Sequence, residues 1–327
     1  MLSAVRPSTT PRLQSHIPDV RGHSKIMLQC PLCGGSVTEL QCLRCAFKME
    51  LQHGIVRALP PGRMEHYAKF MLEYERIRAA EGRGSMNSEY YLGLPYKDTT
   101  GNNSQQWTIR AKSYDFLVQR ILKSELNGRR ILDLGAGNCW MSFRLAQLGC
   151  LPFAVDLLIN DQDGLGAAKQ YHAYLPQPIP RFQAEASRLP FADAQFDFAI
   201  FNASFHYSED YEATLLEVLR CLKEDGLVII CDTPWYSREE SGTEMVAERC
   251  KAFYQRFGTA SHAIQSQEFL TDGRLRSLEQ KLSLCWNVYR PWYGWSWAMR
   301  PLMAGLKGRR EPSRFRIYTS RKHADAR

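Results

Sequence analysis

Residues 126–327 predict an α/β fold, a doubly wound and mostly parallel seven-stranded sheet with helices on both faces. Three observations carry this. Short apolar runs at 130–134, 152–156, 179–184, 196–202, 226–232, 282–289 and 314–320 read as strands. Segments at helical spacing fall between them, at 139–148, 164–172, 211–223, 238–257 and 271–280, and such alternation makes a parallel sheet covered on both sides. The first run also closes on an acid and a G-x-G turn, Asp133-Leu134-Gly135-Ala136-Gly137. Glycine is needed there because the backbone must take positive φ and let a ligand approach without a Cβ in the way. The helix that follows offers free N–H groups to whatever sits in the turn. The last two strands are joined without a clear crossover helix.

Length and composition bound the rest. A chain of 327 residues buries a large core and accommodates more than one domain. Hydrophobic content of 44% and charged content of 23% are those of a globular protein. No apolar run reaches 18 residues, and the N-terminus lacks an apolar core of signal-peptide length, so the expected location is the cytoplasm. Ten cysteines in such a chain fit a reducing compartment with thiols or metal rather than a disulfide framework. The formal net charge of +8 permits a nucleic-acid or anionic-lipid partner without requiring one.

The segments ahead of the sheet divide by composition. Residues 1–25, rich in Pro, Ser, Thr and Arg, are expected to be a disordered leader, with an organelle transit peptide as the alternative. Residues 26–60 carry two C-x-x-C knuckles, Cys30, Cys33, Cys42 and Cys45. Each knuckle turns two sulfurs toward one point, and four thiolates fill a tetrahedral Zn2+ site, so a structural zinc ribbon is expected. A segment this small cannot fold on its own core without a staple. Its closing strand leads to Pro60-Pro61, read as a hinge. Residues 61–125 are expected to form a helical linker or cap. Met64 to Ala80 is an amphipathic helix with Tyr67, Phe70, Met71, Tyr74 and Ile77 on one stripe, packed on the main domain or over its pocket. A second helix is expected over about 106–126.

The order of the motifs resembles that of the class I S-adenosylmethionine (SAM) methyltransferases, a Rossmann-like family. Asp133 to Gly137 matches its first motif, Ala154-Val155-Asp156 a second strand ending in an acid, Glu185-Ala186-Ser187-Arg188-Leu189-Pro190-Phe191 the following motif, and Phe196-Asp197 the start of an apolar fourth strand. The resemblance implies an antiparallel edge pair at the end of the sheet, and roles for single residues. Gly135, Ala136 and Gly137 would let the backbone pass close to the cofactor. Asp133 would orient that loop and the methionine ammonium. Asp156, with Leu157 beside it, would accept from both ribose hydroxyls, which suits a carboxylate. Glu185 would accept from the adenine amino group, with the Ala186 N–H meeting the ring, and Asn202 would stand at the tip of the fourth strand. The segment before the first motif often lies across the SAM pocket in this family, which puts Tyr90, Tyr91 and Tyr96 near it. The sequence departs from the pattern at Cys139, where a third glycine is common.

The methyl acceptor is less legible. His206 is a candidate general base, since imidazole titrates near neutrality, with a structural role as the alternative. Trp292, Tyr293, Trp295 and Trp297 lie between the last two strands, close to Lys307, Arg309 and Arg310. Aromatics beside cations suit a membrane interface, a stacked base, an aromatic substrate or a packed lid. The main expectation is methyl transfer to a small-molecule, lipid or quinone-like acceptor. A ribbon, then a linker helix, then the first motif also resembles bacterial 23S rRNA guanine-N1 methyltransferases, which makes an rRNA base a second acceptor. A third reading is a non-catalytic methyltransferase-like protein whose ribbon binds a partner.

Overall fold

The computed structural model describes residues 26–123 and 126–322; the expected leader at 1–25 lies outside them. Two hairpins come first, β1 (Val37–Thr38) with β2 (Gln41–Cys42), and β3 (Glu50–Gln52) with β4 (Ile55–Arg57). Helices α1 (Pro61–Ala80), α2 (Ser88–Gly93) and α3 (Ser104–Phe116) follow, α3 widening into a π-helical turn over Leu117–Leu122. The main chain order is then β5 (Arg130–Leu134), α4 (Trp140–Gln147), β6 (Leu151–Asp156), a 3-10 segment (Leu165–Tyr174), β7 (Arg181–Gln183), β8 (Phe196–Asn202), α5 (Tyr211–Cys221) and β9 (Leu222–Cys231). The chain continues through α6 (Glu239–Phe257), α7 (Asp272–Leu282), β10 (Asn287–Tyr289), α8 (Trp295–Ala298), α9 (Arg300–Leu306) and β11 (Ile317–Arg321).

The strands lie in the order β10-β11-β9-β8-β5-β6-β7-β4-β3. Strands β5 to β9 run parallel, and β10 and β11 form the antiparallel edge. These seven are the expected sheet, but the whole sheet has nine. The β3–β4 hairpin adds to it, with Val56 opposite Phe182 in a parallel pairing of β4 on β7. An uncovered edge strand presents a row of free N–H and C=O groups, and the hairpin satisfies them. Its two-residue turn holds His53 at φ 53° and Gly54 at φ 73°, the mirror-image geometry that matches strand twist. The ribbon segment is therefore built into the main sheet. Pro60 and Pro61 are not a hinge: Pro60 caps α1 and Pro61 opens it, where a missing N–H costs nothing.

Alternation along the strands sorts two cores. Leu132, Leu134, Phe153 and Val155 pack with Leu215, Val218 and Leu219 of α5 and Leu275, Leu278 and Leu282 of α7 on one face. Ile131, Ala154, Ile200 and Ile229 pack with Trp140, Met141, Phe143 and Leu145 of α4 and with Trp107 and Tyr114 of α3 on the other. Successive side chains of a strand point to opposite faces, so a strand buried on both sides reads as a continuous apolar run. Helix α5 starts at Asp210, whose carboxylate accepts from the N–H groups of Glu212 and Ala213. The connection before the last strand contains two short helices the sequence did not predict, α8 and α9, and neither has a buried residue. No helix of the described residues is long and apolar enough to cross a membrane.

Candidate functional site

A cavity of about 360 Å³ opens at the carboxyl ends of β5, β6, β7 and β8, where open α/β sheets hold ligands. Its size is that of a small-molecule site. Its floor brings together Asp133, Gly135, Ala136, Gly137, Asp156, Leu157, Glu185, Ala186 and Asn202, residues drawn from four strand tips. Gly135 has φ 71°, and a Cβ there would stand 2.2 Å from the Ser204 Cβ. The turn can be this tight only without a side chain. Cys139, in the position of the missing third glycine, takes φ 63°, a left-handed conformation, and is fully buried. A buried cysteine thus stands where the turn geometry favours glycine, at a cost of roughly 1–2 kcal/mol.

The two strand-end acids have distinct settings. Burial pushes the Asp133 carboxyl up to about 6, against the lowering effect of the Ser142 hydroxyl, which donates to it at 2.6 Å. Burial likewise pushes Asp156 up to about 6. The Gly137 N–H donates to Oδ2 of Asp156 and the Leu158 N–H to Oδ1, each at 2.8 Å. One lone pair on each oxygen is left for a further donor. Asn202 contributes a buried Oδ1 with no hydrogen-bond partner among the described residues. Such an orphaned acceptor in a cavity wall marks a place for a ligand donor.

The roof is helical. Arg63, Tyr67, Phe70, Tyr74 and Arg78 of α1 and Trp107 and Arg110 of α3 line it. Arg63 clamps Glu185, Nε to Oε1 at 2.9 Å and Nη2 to Oε2 at 2.7 Å, and the Tyr67 hydroxyl donates to Oε2 at 3.0 Å. Arg78 holds Asp163 at 2.5 Å. Trp140 meets Trp107 edge-on, ring centroids 5.9 Å apart.

Residues 132–230 match the family model for a methyltransferase domain. The sheet order and the cavity at its strand tips agree with that match. The fold is that of a Rossmann-like methyltransferase. Over 105 residues the chain is 30% identical to a demethylmenaquinone methyltransferase of Mycobacterium sp. (strain KMS), an overlap of 32% of this chain and 42% of the relative. It is 29% identical over 128 residues to the demethylmenaquinone methyltransferase of Mycolicibacterium paratuberculosis, covering 38% of this chain and 52% of the relative. The chain thus spans about half the length of these curated relatives. Among solved structures, the YcgJ protein of Bacillus subtilis is similar with a TM-score of 0.47 and 16% identity, over 65% of this chain and 99% of that one.

Several expected neighbours of the cavity lie elsewhere. Tyr90 and Tyr91 are fully buried in the second core, and the Tyr91 hydroxyl donates to the carbonyls of Ser85 and Gln162. Tyr96 is exposed and donates to Asp115. The aromatics that do line the cavity are Tyr67, Phe70 and Tyr74 of α1 and Trp107 of α3 in the roof, with Trp140, Phe201 and Tyr207 from the sheet side. His206 is not in the lining either. The 3-10 turn Phe205–Tyr207 presents Tyr207 to the cavity, while burial pushes the His206 imidazole down to about 4. A base that weak, outside the cavity, does not fit a proton acceptor working near neutral pH. The roof cations Arg63, Arg78 and Arg110 were missed by sequence reasoning. They share the helical period of the aromatics beside them, and that spacing is the signal that could have found them.

The four knuckle cysteines converge in front of the sheet. The Sγ atoms of Cys30, Cys33, Cys42 and Cys45 all lie within 4.8 Å of one another, with Cys30 to Cys45 at 3.6 Å and Cys33 to Cys42 at 3.5 Å. A tetrahedron of sulfurs 2.3 Å from Zn2+ has edges of about 3.8 Å, so this donor set fits the metal. The backbone N–H groups of Arg44 and Cys45 donate to the Cys42 sulfur. A Cβ on Gly35 would stand 2.7 Å from the Arg44 Cβ and 3.0 Å from the Cys42 sulfur, so glycine lets the knuckles close.

Proposed function

We propose that this protein is a SAM-dependent methyltransferase acting on a small, planar, quinone-like acceptor, with a structural Zn2+ in its four-cysteine cluster. The observation that carries the first part is the cavity floor: the glycine turn, the Asp156 carboxylate and the orphaned Asn202 oxygen line one space at the strand tips. SAM supplies a methyl group on a sulfonium, already activated for in-line displacement. The chain's own task is to align, to exclude water and to hold charges. Asp156 would accept from the ribose hydroxyls with the lone pairs its two backbone partners leave open. Gly135, Ala136 and Gly137 would pass close to the methionine part, with Asp133 bracing the loop. Asn202 would accept from a donor on that part. At the adenine end the Ala186 N–H would meet the base, and Glu185 Oε1, reached by Arg63 at 2.9 Å and by Arg188 at 3.5 Å, would share its remaining capacity with the adenine amino group. The aromatic roof of Phe70, Tyr74 and Trp107 would close over the acceptor and shut out water.

The acceptor class rests on the aromatic rings of that roof and on the partial relatives, which are demethylmenaquinone methyltransferases. The exposed aromatic segment agrees with a lipid-soluble acceptor. Trp292 and Trp295 are 58% and 77% exposed, Leu302 and Leu306 55% and 75%, and Lys307 and Arg309 follow them. We infer peripheral membrane contact through this face. Calorimetry with SAM and with its demethylated product tests the enzyme reading, and failure to bind either would leave a non-catalytic scaffold. Transfer of a labelled methyl from SAM into the quinone-containing lipid extract, compared with transfer into ribosomal RNA, tests the acceptor. Label appearing in RNA alone would replace the quinone-like reading with the rRNA one.

A further inference from the structure

Four arginines line the cavity: Arg63, Arg78, Arg110 and Arg188. Three are engaged by carboxylates, Arg63 and Arg188 by Glu185 and Arg78 by Asp163. Arg110 is different. Its guanidinium lies over the Trp107 ring, 4.8 Å from the centroid, and among the described residues no carboxylate reaches it within ion-pair distance and no acceptor hydrogen-bonds to it. Arg110 is half-buried, and a cation partly withdrawn from water without a counter-charge is costly unless something supplies one. Burial and the nearby Arg83 and Arg78 charges push its pKa down to about 10, while Asp232 and Tyr74 act in the opposite sense. Its field also reaches His206.

Its position separates it from the cofactor floor. Asp156 and Glu185 belong to the β6 and β7 side of the sheet, and the glycine turn to β5 in the middle. One turn along α3 from Arg110 the Ser113 hydroxyl donates to Asp232, just past the tip of β9, and the Arg110 charge acts on Asp232 and on His206, just past the tip of β8. These strands lie on the other side of β5. The Trp107 ring lies under Arg110, and Tyr74 and Tyr207, edge-on to each other with centroids 5.6 Å apart, line the same cavity. A cation backed by an indole and flanked by aromatic rings suits a flat ring that bears negative oxygen.

We propose that Arg110 is the acceptor's anion anchor: the acceptor is a planar ring with an ionisable hydroxyl, bound as the oxyanion against Arg110. This rests on the methyltransferase reading and deepens it. The hydroxyl proton is lost to water on binding, so no side-chain base is needed, in keeping with the place of His206 outside the cavity. An electron pair of the oxyanion, on oxygen or on the conjugated ring carbon, forms the new bond to the methyl carbon. The methyl–sulfur bond breaks, and its pair neutralises the sulfonium as the thioether leaves. Where carbon is the nucleophile, its ring proton then passes to water and restores the aromatic ring.

The test uses full-length protein with bound SAM and 2-naphthol as probe, read by the absorbance difference between naphthol and naphtholate. In the wild type the bound naphthol should ionise at lower pH than free naphthol by about one unit, which corresponds to about tenfold tighter binding of the anion. Arg110→Gln should abolish that shift and Arg110→Lys should keep part of it, with SAM affinity within about threefold of wild type by calorimetry. An Arg110→Gln protein that ionises naphthol as the wild type does overturns the proposal. So does one that loses SAM affinity tenfold or more, because Arg110 then serves the cofactor. Wild-type protein that binds SAM but not naphthol also overturns it, whereas protein that binds no SAM sinks the methyltransferase reading itself.

Discussion

At the scale of single residues, the strand-tip acids and the glycine turn give the sharpest expectations. Gly135 has both a left-handed φ and a Cβ position inside the Ser204 side chain, so Gly135→Ala should distort the turn. The left-handed backbone alone costs about 1–2 kcal/mol, and displacement of Ser204 adds to it. A thermal melt should show the lost stability and calorimetry a loss of SAM binding; unchanged SAM affinity would separate this turn from the cofactor. Asp133 and Asp156 carry a pH signature. Burial raises both to about 6, so between the ordinary carboxylate range and pH 6 the folded protein holds protons that the unfolded chain has released. These groups therefore favour folding at the acid end of that window, and their contribution fades as pH rises through it. Binding has the opposite sign, because an ionised Asp156 is the better acceptor for two hydroxyls. SAM affinity should rise about tenfold from pH 5 to pH 7 if one proton opposes binding, and a flat profile by calorimetry would count against the carboxylate assignment. These acids were legible in the sequence because each ends an apolar strand at a fixed place in the motif order. The left-handed Cys139 was legible only as a missing glycine, since sequence does not say which residue accepts the strain. His206 misled because a 3-10 turn decides which neighbour faces the cavity, and Tyr207 took that place.

At the scale of elements, the first hairpins and α1 link the four-cysteine cluster to the cavity. The Cys42 knuckle closes on β2, the chain runs through β3 and β4 onto β7, and Pro60 then starts α1, whose Arg63 clamps Glu185. Ile26, Met49 and Ala58 already belong to the core beneath the sheet. Loss of the four-thiolate cross-link should therefore loosen the β4 edge and the roof together. A strong chelator, or Cys30→Ser, should release one Zn2+ per chain by elemental analysis and lower the melting midpoint. It should also weaken SAM binding in the full-length protein several-fold, through the roof rather than the floor; zinc-free protein with unchanged SAM affinity would show that the ribbon end of the sheet is uncoupled from the site. The strands β5 to β9 could be read from the sequence because burial on both faces makes runs such as Phe198 to Phe201 apolar throughout. The addition of β3–β4 could not, because its partner β7 lies more than a hundred residues further on, and short strands carry no mark of a distant edge. The roof ion pairs were hidden for the same reason. Helical period put Arg63 and Arg78 near the stripe, but only the packed chain brings Glu185 and Asp163 to them.

At the scale of the molecule, an exposed aromatic face and the strand-tip cavity are joined by one helix. The Lys112 ammonium donates to the Tyr293 carbonyl at 2.8 Å, and Ser113 hydrogen-bonds both Tyr293 and Asp232. The segment that carries Trp292 and Trp295 is thus pinned to α3, and Trp107 and Arg110 on the same helix line the cavity. Within that segment the roles divide. Trp297 is held by stacking on Phe315, centroids 5.2 Å apart, and by Arg300 over its ring, which leaves Trp292, Trp295, Leu302 and Leu306 free to meet an apolar phase. Inserting an exposed tryptophan into a bilayer interface is worth on the order of 1.5 kcal/mol, and each nearby cation about 1 kcal/mol more on an anionic surface. The protein should therefore co-sediment with vesicles rich in anionic lipid more strongly than with zwitterionic ones, and salt should weaken the difference. Trp292→Ala with Trp295→Ala should lower vesicle affinity by about a hundredfold, while SAM affinity in the absence of lipid stays as in the wild type. If the double variant sediments as the wild type does, this face is not the one that meets lipid, and an acceptor must reach the cavity through water.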